Sequence, residues 1–239
     1  MGGITVRNVT KTFPTPSGRR TAVNDVSFSL DEGSLAVVSG ENGSGKSVLM
    51  SIIAGLEQAD SGTVETHGKV GLIFQEADTQ ILGETPREDI AFGPKNQGRP
   101  KAEVAAAVER ALGEVGLLQK ADATARLLSG GEKRRLAVAC MLSMNLPILI
   151  FDEPYANLDL AGVRQVNALI RKLKEGKKTV IILSHELEKC LALADRLIVL
   201  FRGNKVFDGH PRDALAQDLG QWNIMNPLGA RNALEDLVW

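Results

Sequence analysis

Eight consecutive residues, Gly40, Glu41, Asn42, Gly43, Ser44, Gly45, Lys46 and Ser47, satisfy the pattern Gly-x4-Gly-Lys-Ser/Thr, with Gly43 as a further small residue inside it. Small residues let successive backbone N–H groups turn inward and wrap a phosphate. A helix starting at the end of the loop adds the partial positive charge of its amino terminus. Lys46 is then placed to reach the β- and γ-phosphates and the Ser47 hydroxyl to coordinate Mg²⁺. Together they make a device for binding a nucleoside triphosphate. A second group, Asp152 and Glu153, ends the apolar run Ile148-Leu149-Ile150-Phe151. Sites in parallel sheets lie at the carboxyl ends of strands, so this pair can face the phosphate loop. Asp152 would bind Mg²⁺ through water, and Glu153 would polarise an attacking water as a general base. A third group is Leu128-Ser129-Gly130-Gly131-Glu132, in which Ser129 is a good helix cap and two glycines leave the backbone amides open to an anion.

These groups work only if strands end and helices begin where they stand. Leu35-Ala36-Val37-Val38-Ser39 is a short continuous apolar run, as expected of a strand buried on both faces, and it feeds directly into the phosphate loop. Residues 47–54 read as the following helix. Further buried strands are expected at 70–74, 148–151, 180–183 and 197–200, with His185 just past the third of these. Residues 4–9 alternate apolar and polar as a half-buried edge strand would, a turn-rich stretch covers 14–20, and 22–30 alternates again. A hairpin or small antiparallel sheet is expected there. Between 78 and 146 the pattern turns helical: Val104, Val108, Leu112 and Val115 share one face of a helix over 101–118, and a second helix covers 129–144. The fold class is therefore α/β, a mainly parallel sheet covered on both faces, with an antiparallel β subdomain and an inserted α-helical subdomain.

The 239 residues suffice for one domain or one domain with a subdomain. Lys and Arg number 28 against 29 Asp and Glu, a net charge of −1, so no global field draws the chain onto nucleic acid or anionic lipid. The basic run over 171–178 reads as a helix end, with Gly176 as its stop. Cys140 and Cys190 do not make a disulfide framework; both read as core residues without the charged pairing of a reactive thiol. The three histidines are too scattered for a metal cluster. No stretch offers the roughly 20 mostly apolar residues of a bilayer span, and no secretory signal stands at the amino terminus.

Phosphate loop, Leu-Ser-Gly-Gly sequence, Asp-Glu pair and strand-end histidine, in this order, resemble the nucleotide-binding subunits of ATP-binding cassette (ABC) transporters from Ile4 to about Ala216. The resemblance implies a P-loop NTPase (RecA-like) core at about 1–77 and 147–216. The helical subdomain would lie at about 78–146, and a short tail at 217–239. It implies an ATPase with ATP and Mg²⁺, and a head-to-tail dimer in which Ser129, Gly130, Gly131 and Glu132 of one subunit cover the nucleotide of the other. Residue by residue, Phe13 would stack on the adenine, and Gln75 would sense Mg²⁺ and the membrane partner. Val48 would stand beside the nucleotide, His185 would hold the γ-phosphate and the attacking water, and Asp159 would cross the dimer. Within the family, Phe74 to Gln80, Glu88 to Pro94 and Gly131 to Ala137 are similar to the ATPases of energy-coupling factor (ECF) transporters, which import vitamins, cobalt or nickel. That likeness implies a homodimer or a pair with a paralogue. The pair would sit on the cytoplasmic face of the cell membrane, with a transmembrane coupling protein and a membrane-embedded substrate-capture protein and without nucleic acid. The coupling helices would be received at 78–94. An ATPase of another ABC transporter class, or a soluble one acting in DNA repair or translation, shares the core motifs. The soluble ones usually carry long coiled coils or two cassettes, and neither is present here. Val48 stands where Thr is common, Glu132 where Gln is commoner, Tyr155 where Ser or Thr is usual, and Glu76-Ala77 where Asn-Pro is frequent.

Overall fold

Strands that are apolar on every residue must be buried on both faces, and here they pair into one six-stranded sheet. The computed structural model describes residues 3–16 and 18–229. In chain order the elements that position the site are β1 (Ile4–Thr15), β2 (Gly18–Leu30), β3 (Leu35–Ser39), α1 (Lys46–Ile53), β4 (Ser61–Thr66) and β5 (Val70–Ile73). Next come α2 (Pro86–Asn96), α3 (Lys101–Glu114), α4 (Gly130–Ser143), β6 (Ile148–Asp152), α5 (Leu160–Glu175) and β7 (Thr179–Leu183). The chain continues with α6 (Leu187–Cys190), β8 (Arg196–Phe201), β9 (Asn204–Gly209) and α7 (Pro211–Leu215). The large sheet has the order β5-β6-β7-β3-β8-β9, parallel except for β9.

Successive strand residues point to opposite faces, and this splits the core in two. Leu35, Val37, Leu149, Phe151, Val180 and Ile182 face one core, which α2 to α5 cover. Ala36, Val38, Ile148, Ile150, Ile181 and Leu183 face the other, shared with α1 and with Val6, Val26 and Phe28 of the antiparallel sheet. The site therefore sits on the edge of a layer clamped from both sides.

Residues 4–9 do not form an edge strand: β1 is the middle strand of the order β2-β1-β4. Its second neighbour, Ser-Gly-Thr-Val-Glu-Thr, is mostly polar and exposed, so no apolar alternation announces it. Pairing also runs through the expected turn, as far as Thr15 opposite Gly18. Pro14 is tolerated because β4 pairs with β1 only up to Thr10, which leaves that side of Pro14 without a ladder bond to lose. Gly176 ends α5, but the left-handed position that stops it is taken by Lys177, at φ 60°. Cys140 does have a charged partner: its thiol lies 3.2 Å from Asp89 Oδ2, and burial followed by that carboxylate raises its pKa. Burial, helped by the nearby carboxylates of Glu188, Glu153 and Glu186, pushes Cys190 up to about 12. Both thiols are inert for that reason.

Residues 217–224, read as the start of a tail, belong to the packed unit. Leu219, Trp222 and Ile224 are buried in the helix-covered core, and the Trp222 ring lies 6.1 Å from that of Phe207. Residues 230–239 of the expected tail lie outside the described residues.

Candidate functional site

The parallel strands β3, β5, β6 and β7 all end on one edge, and each delivers part of the site there. The loop after β3 is shaped by glycine. Gly40 has φ 145° and a Cβ on it would lie 2.0 Å from Leu200 O; Gly45 has φ 100° and its Cβ would lie 2.1 Å from Ala22 O. Neighbouring segments clamp the loop: Gly203 N–H donates to Ser44 O at 3.1 Å, and an Arg20 guanidinium N–H donates to Gly43 O at 3.2 Å. Lys46 is 6% exposed, and its ammonium donates to Gly40 O at 2.7 Å and Glu41 O at 3.0 Å. Burial lowers its pKa, against the pull of Glu153, Asp152 and Glu41.

β6 ends in Asp152, whose pKa burial raises while a hydrogen bond from the Ser47 side chain opposes the shift. Glu153 then leaves the strand at φ 46°, a left-handed conformation that side chains rarely adopt, and its N–H donates to Leu183 O at the end of β7. Backbone strain of this kind persists only where surrounding contacts enforce it. Glu153 Oε1 lies 2.9 Å from His185 Nδ1, while Oε2 is buried without a hydrogen-bond partner. With Glu153 ionised, the imidazole proton sits on Nδ1 and is donated.

Phe13, Asn42, Gly43, Gly45, Lys46, Ser47, Val48, Gln75, Asp152 and Glu153 line a single cleft of about 420 Å³, joined by Thr15, Arg20 and Ala22 from the antiparallel sheet. Gly40, Glu41 and Ser44 shape the loop without lining the cleft, and His185 reaches it through Glu153. Ser129, Gly130, Gly131, Glu132 and Asp159 are not in its wall. Ser129 and Glu132 form a reciprocal cap on α4, and Lys120 beside Glu132, with the Ser129 N–H, holds that carboxyl at about 2. A Cβ on Gly130 or Gly131 would meet nothing within 4 Å, so the packing of this chain does not demand glycine there. Asp159 caps α5, accepting from Gly162 N–H at 2.7 Å.

Several supporting residues carry no signature of their own in the sequence. Gln80 accepts from Phe74 N–H at 2.8 Å and donates to Leu72 O at 3.0 Å, which fixes the end of β5 beside Gln75. Buried Tyr155 donates to Asn167 Oδ1 at 2.7 Å, and Asn167 donates to Lys189 O at 2.8 Å. That chain of bonds ties the turn after Glu153 to the helix after His185, which is what the large side chain does at a place usually held by Ser or Thr. Tyr155→Phe should lower the unfolding free energy by about 1 kcal/mol, since the half-buried Asn167 Oδ1 loses its donor. A urea unfolding curve with an earlier midpoint and the same slope is the expected result; an unmoved midpoint would remove the bond from the account.

Residues 23–156 match the family described as ABC transporter. The energy-coupling factor transporter ATP-binding protein EcfA1 of Mycoplasma mobile is 37% identical over 220 residues, spanning 86% of this chain and 80% of that protein. The cobalt import ATP-binding protein CbiO of Rhodobacter capsulatus is 35% identical over 235 residues, 91% of this chain and 83% of the relative. Among solved structures, the dimeric post-hydrolysis state of the ATP-binding cassette MJ0796, bound to ADP and Pi, superposes with a TM-score of 0.80 at 26% identity. It covers 87% of this chain and 99% of that one.

Proposed function

The chain belongs to the ABC transporter family as an ATP-binding, ATP-hydrolysing subunit, and from that premise we propose which residues carry hydrolysis and what the hydrolysis drives. The observation that carries the proposal is the meeting of Lys46, Ser47, Asp152 and Glu153 in one cleft, with His185 hydrogen-bonded to Glu153. The triphosphate lies along the loop 40–47, its charge met by Lys46 and by the amides at the start of α1, with Phe13 stacked on the adenine and Val48 beside it. The Ser47 hydroxyl, the Asp152 carboxylate and the Gln75 side-chain oxygen are a hard-oxygen set suited to Mg²⁺, which when bound neutralises phosphate charge. Glu153 takes the proton of the attacking water on Oε2, the oxygen this chain leaves unpartnered. His185, held at Nδ1 by Oε1, turns Nε2 toward the γ-phosphate and the attacking water, and it donates to the phosphate when both ring nitrogens carry protons.

The cleft is one-sided, and the second side comes from another copy of this chain or from a paralogue. Gly130 and Gly131 are open to an approach from outside, with Leu127 and Leu160 exposed near the signature and Asp159. ATP closes the pair and hydrolysis reopens it, and a membrane partner follows that motion. Phe74, Leu82 and Phe92 present apolar surface around the segment 78–94 and supply a docking face for a transmembrane coupling protein. No described helix is long and apolar enough to cross a membrane, so the partners provide the span. The likeness to EcfA1 and to CbiO supports import of the ECF type, of a vitamin or a transition-metal ion, from the cytoplasmic face of the membrane.

Purification from native membranes in mild detergent, with every co-purifying chain identified by mass, tests this. A coupling protein with a small, very hydrophobic capture protein is the expected result. Two ordinary transmembrane subunits would discard the ECF assignment, and soluble partners alone would discard transport.

A further inference from the structure

The phosphate loop is held from a direction that none of the site motifs includes. Asn223 Nδ2 donates to Glu41 Oε2 at 2.8 Å, joining two residues separated by 182 positions. The donor is firmly presented. Residues 219–222 form a single helical turn whose Gly220 N–H is capped by Asp218, and Asn223 follows it at φ 56°. Asparagine is one of the few residues that accept this left-handed conformation readily. Leu219, Trp222 and Ile224 are buried around it and anchor the turn to the core.

The acceptor carries the wrong charge for its place. Glu41 is the second residue of a loop whose task is to gather phosphate, and its carboxylate is close enough to Lys46 to act on that ammonium. Unrestrained, it would repel a triphosphate and compete for Lys46. Its neighbours Asn42 and Gly43 line the cleft, whereas Glu41, bonded to Asn223, does not.

We propose that Asn223 is a positioning residue of the nucleotide site, holding the Glu41 carboxylate out of the cleft so that the carboxy-terminal segment sets ATP affinity. The proposal rests on the loop being the ATP site, and binding of ATP by the wild-type chain tests that premise separately. Asn223→Gly deletes the amide and keeps the left-handed backbone, so folding is preserved. It should raise the Kd for ATP, titrated by calorimetry in EDTA to prevent turnover, about three- to ten-fold. With Mg²⁺ the KM should rise to match, while kcat stays within about twofold, as expected when only ground-state binding is lost. Asn223→Asp, which sets a second carboxylate against Glu41, should weaken ATP binding further than Asn223→Gly. The decisive arm is Glu41→Gln: on that background Asn223→Gly should no longer change the Kd. An unchanged Kd in Asn223→Gly overturns the proposal. So does a rise that survives in the Glu41→Gln background, since it would mark loosened packing rather than a misplaced charge.

Discussion

Glu153→Gln should bind ATP at least as tightly as the wild-type chain and hydrolyse it about 10²- to 10⁴-fold more slowly. The substitution keeps volume and shape, which matters because Glu153 is only 7% exposed and holds a left-handed backbone. Its N–H bond to Leu183 O comes from the backbone and survives. The amide oxygen can still accept from His185, so the histidine keeps its place. What disappears is the proton acceptor. Oε2 is buried and without a partner, positioned to take a proton that an amide cannot accept. Removing one negative charge from beside the phosphates also reduces repulsion, so affinity is not lost with rate. Single-turnover phosphate release together with nucleotide titration separates the two effects. Hydrolysis within tenfold of wild type would take the general-base role away from Glu153.

His185 is more exposed and shares its Nδ1 proton with the same carboxylate, so the two residues form one unit and their effects should not add. The sequence showed the histidine at a strand end and the glutamate at another, but not their contact. That contact depends on β6 and β7 being adjacent in the sheet, a matter of topology rather than of local pattern. The same distinction runs through the molecule. The strands buried on both faces were legible because Leu35 to Val38 and Ile148 to Phe151 are apolar at every position, and the phosphate loop because Gly40 and Gly45 stand where neighbouring backbone admits nothing larger. β4 was not legible, since a polar strand at a sheet edge needs no apolar face. Register shifts in β1 also break the alternation that would have marked its full length. Gln80, Asn167 and Asn223 act through one or two hydrogen bonds each, and a lone polar residue carries no spacing to read. The carboxy-terminal turn looked like a tail because Leu219, Trp222 and Ile224 are too few and too close to show a period; only Phe207 and the core around it reveal what they cover.

Lys46→Ala should weaken ATP binding by about a hundredfold or more, a loss in affinity where Glu153→Gln produces a loss in rate. The ammonium is buried in its own loop, bonded to two carbonyls and drawn by three carboxylates, at a site where burial disfavours its charge. A buried cation is tolerated only where opposite charge surrounds it, and the triphosphate brings more of it. Binding therefore favours the protonated form. In the free chain the pKa of Lys46 is below the usual lysine range, so ATP affinity should fall as the pH rises through that lowered value, with a proton taken up on binding above it. Lys46→Ala should abolish that pH dependence along with the affinity. Arginine is no substitute: its planar fork is larger than the ammonium that Gly40 O and Glu41 O grip, so Lys46→Arg should recover little binding. Folding should suffer far less than binding, because the loop stays clamped by Gly203 and Arg20 and its glycines keep their conformations. Calorimetric titration with ATP across pH 7 to 10, alongside thermal unfolding of the same samples, separates these outcomes. A Kd within tenfold of wild type would mean that the amides of the loop and of α1 hold the phosphates without Lys46.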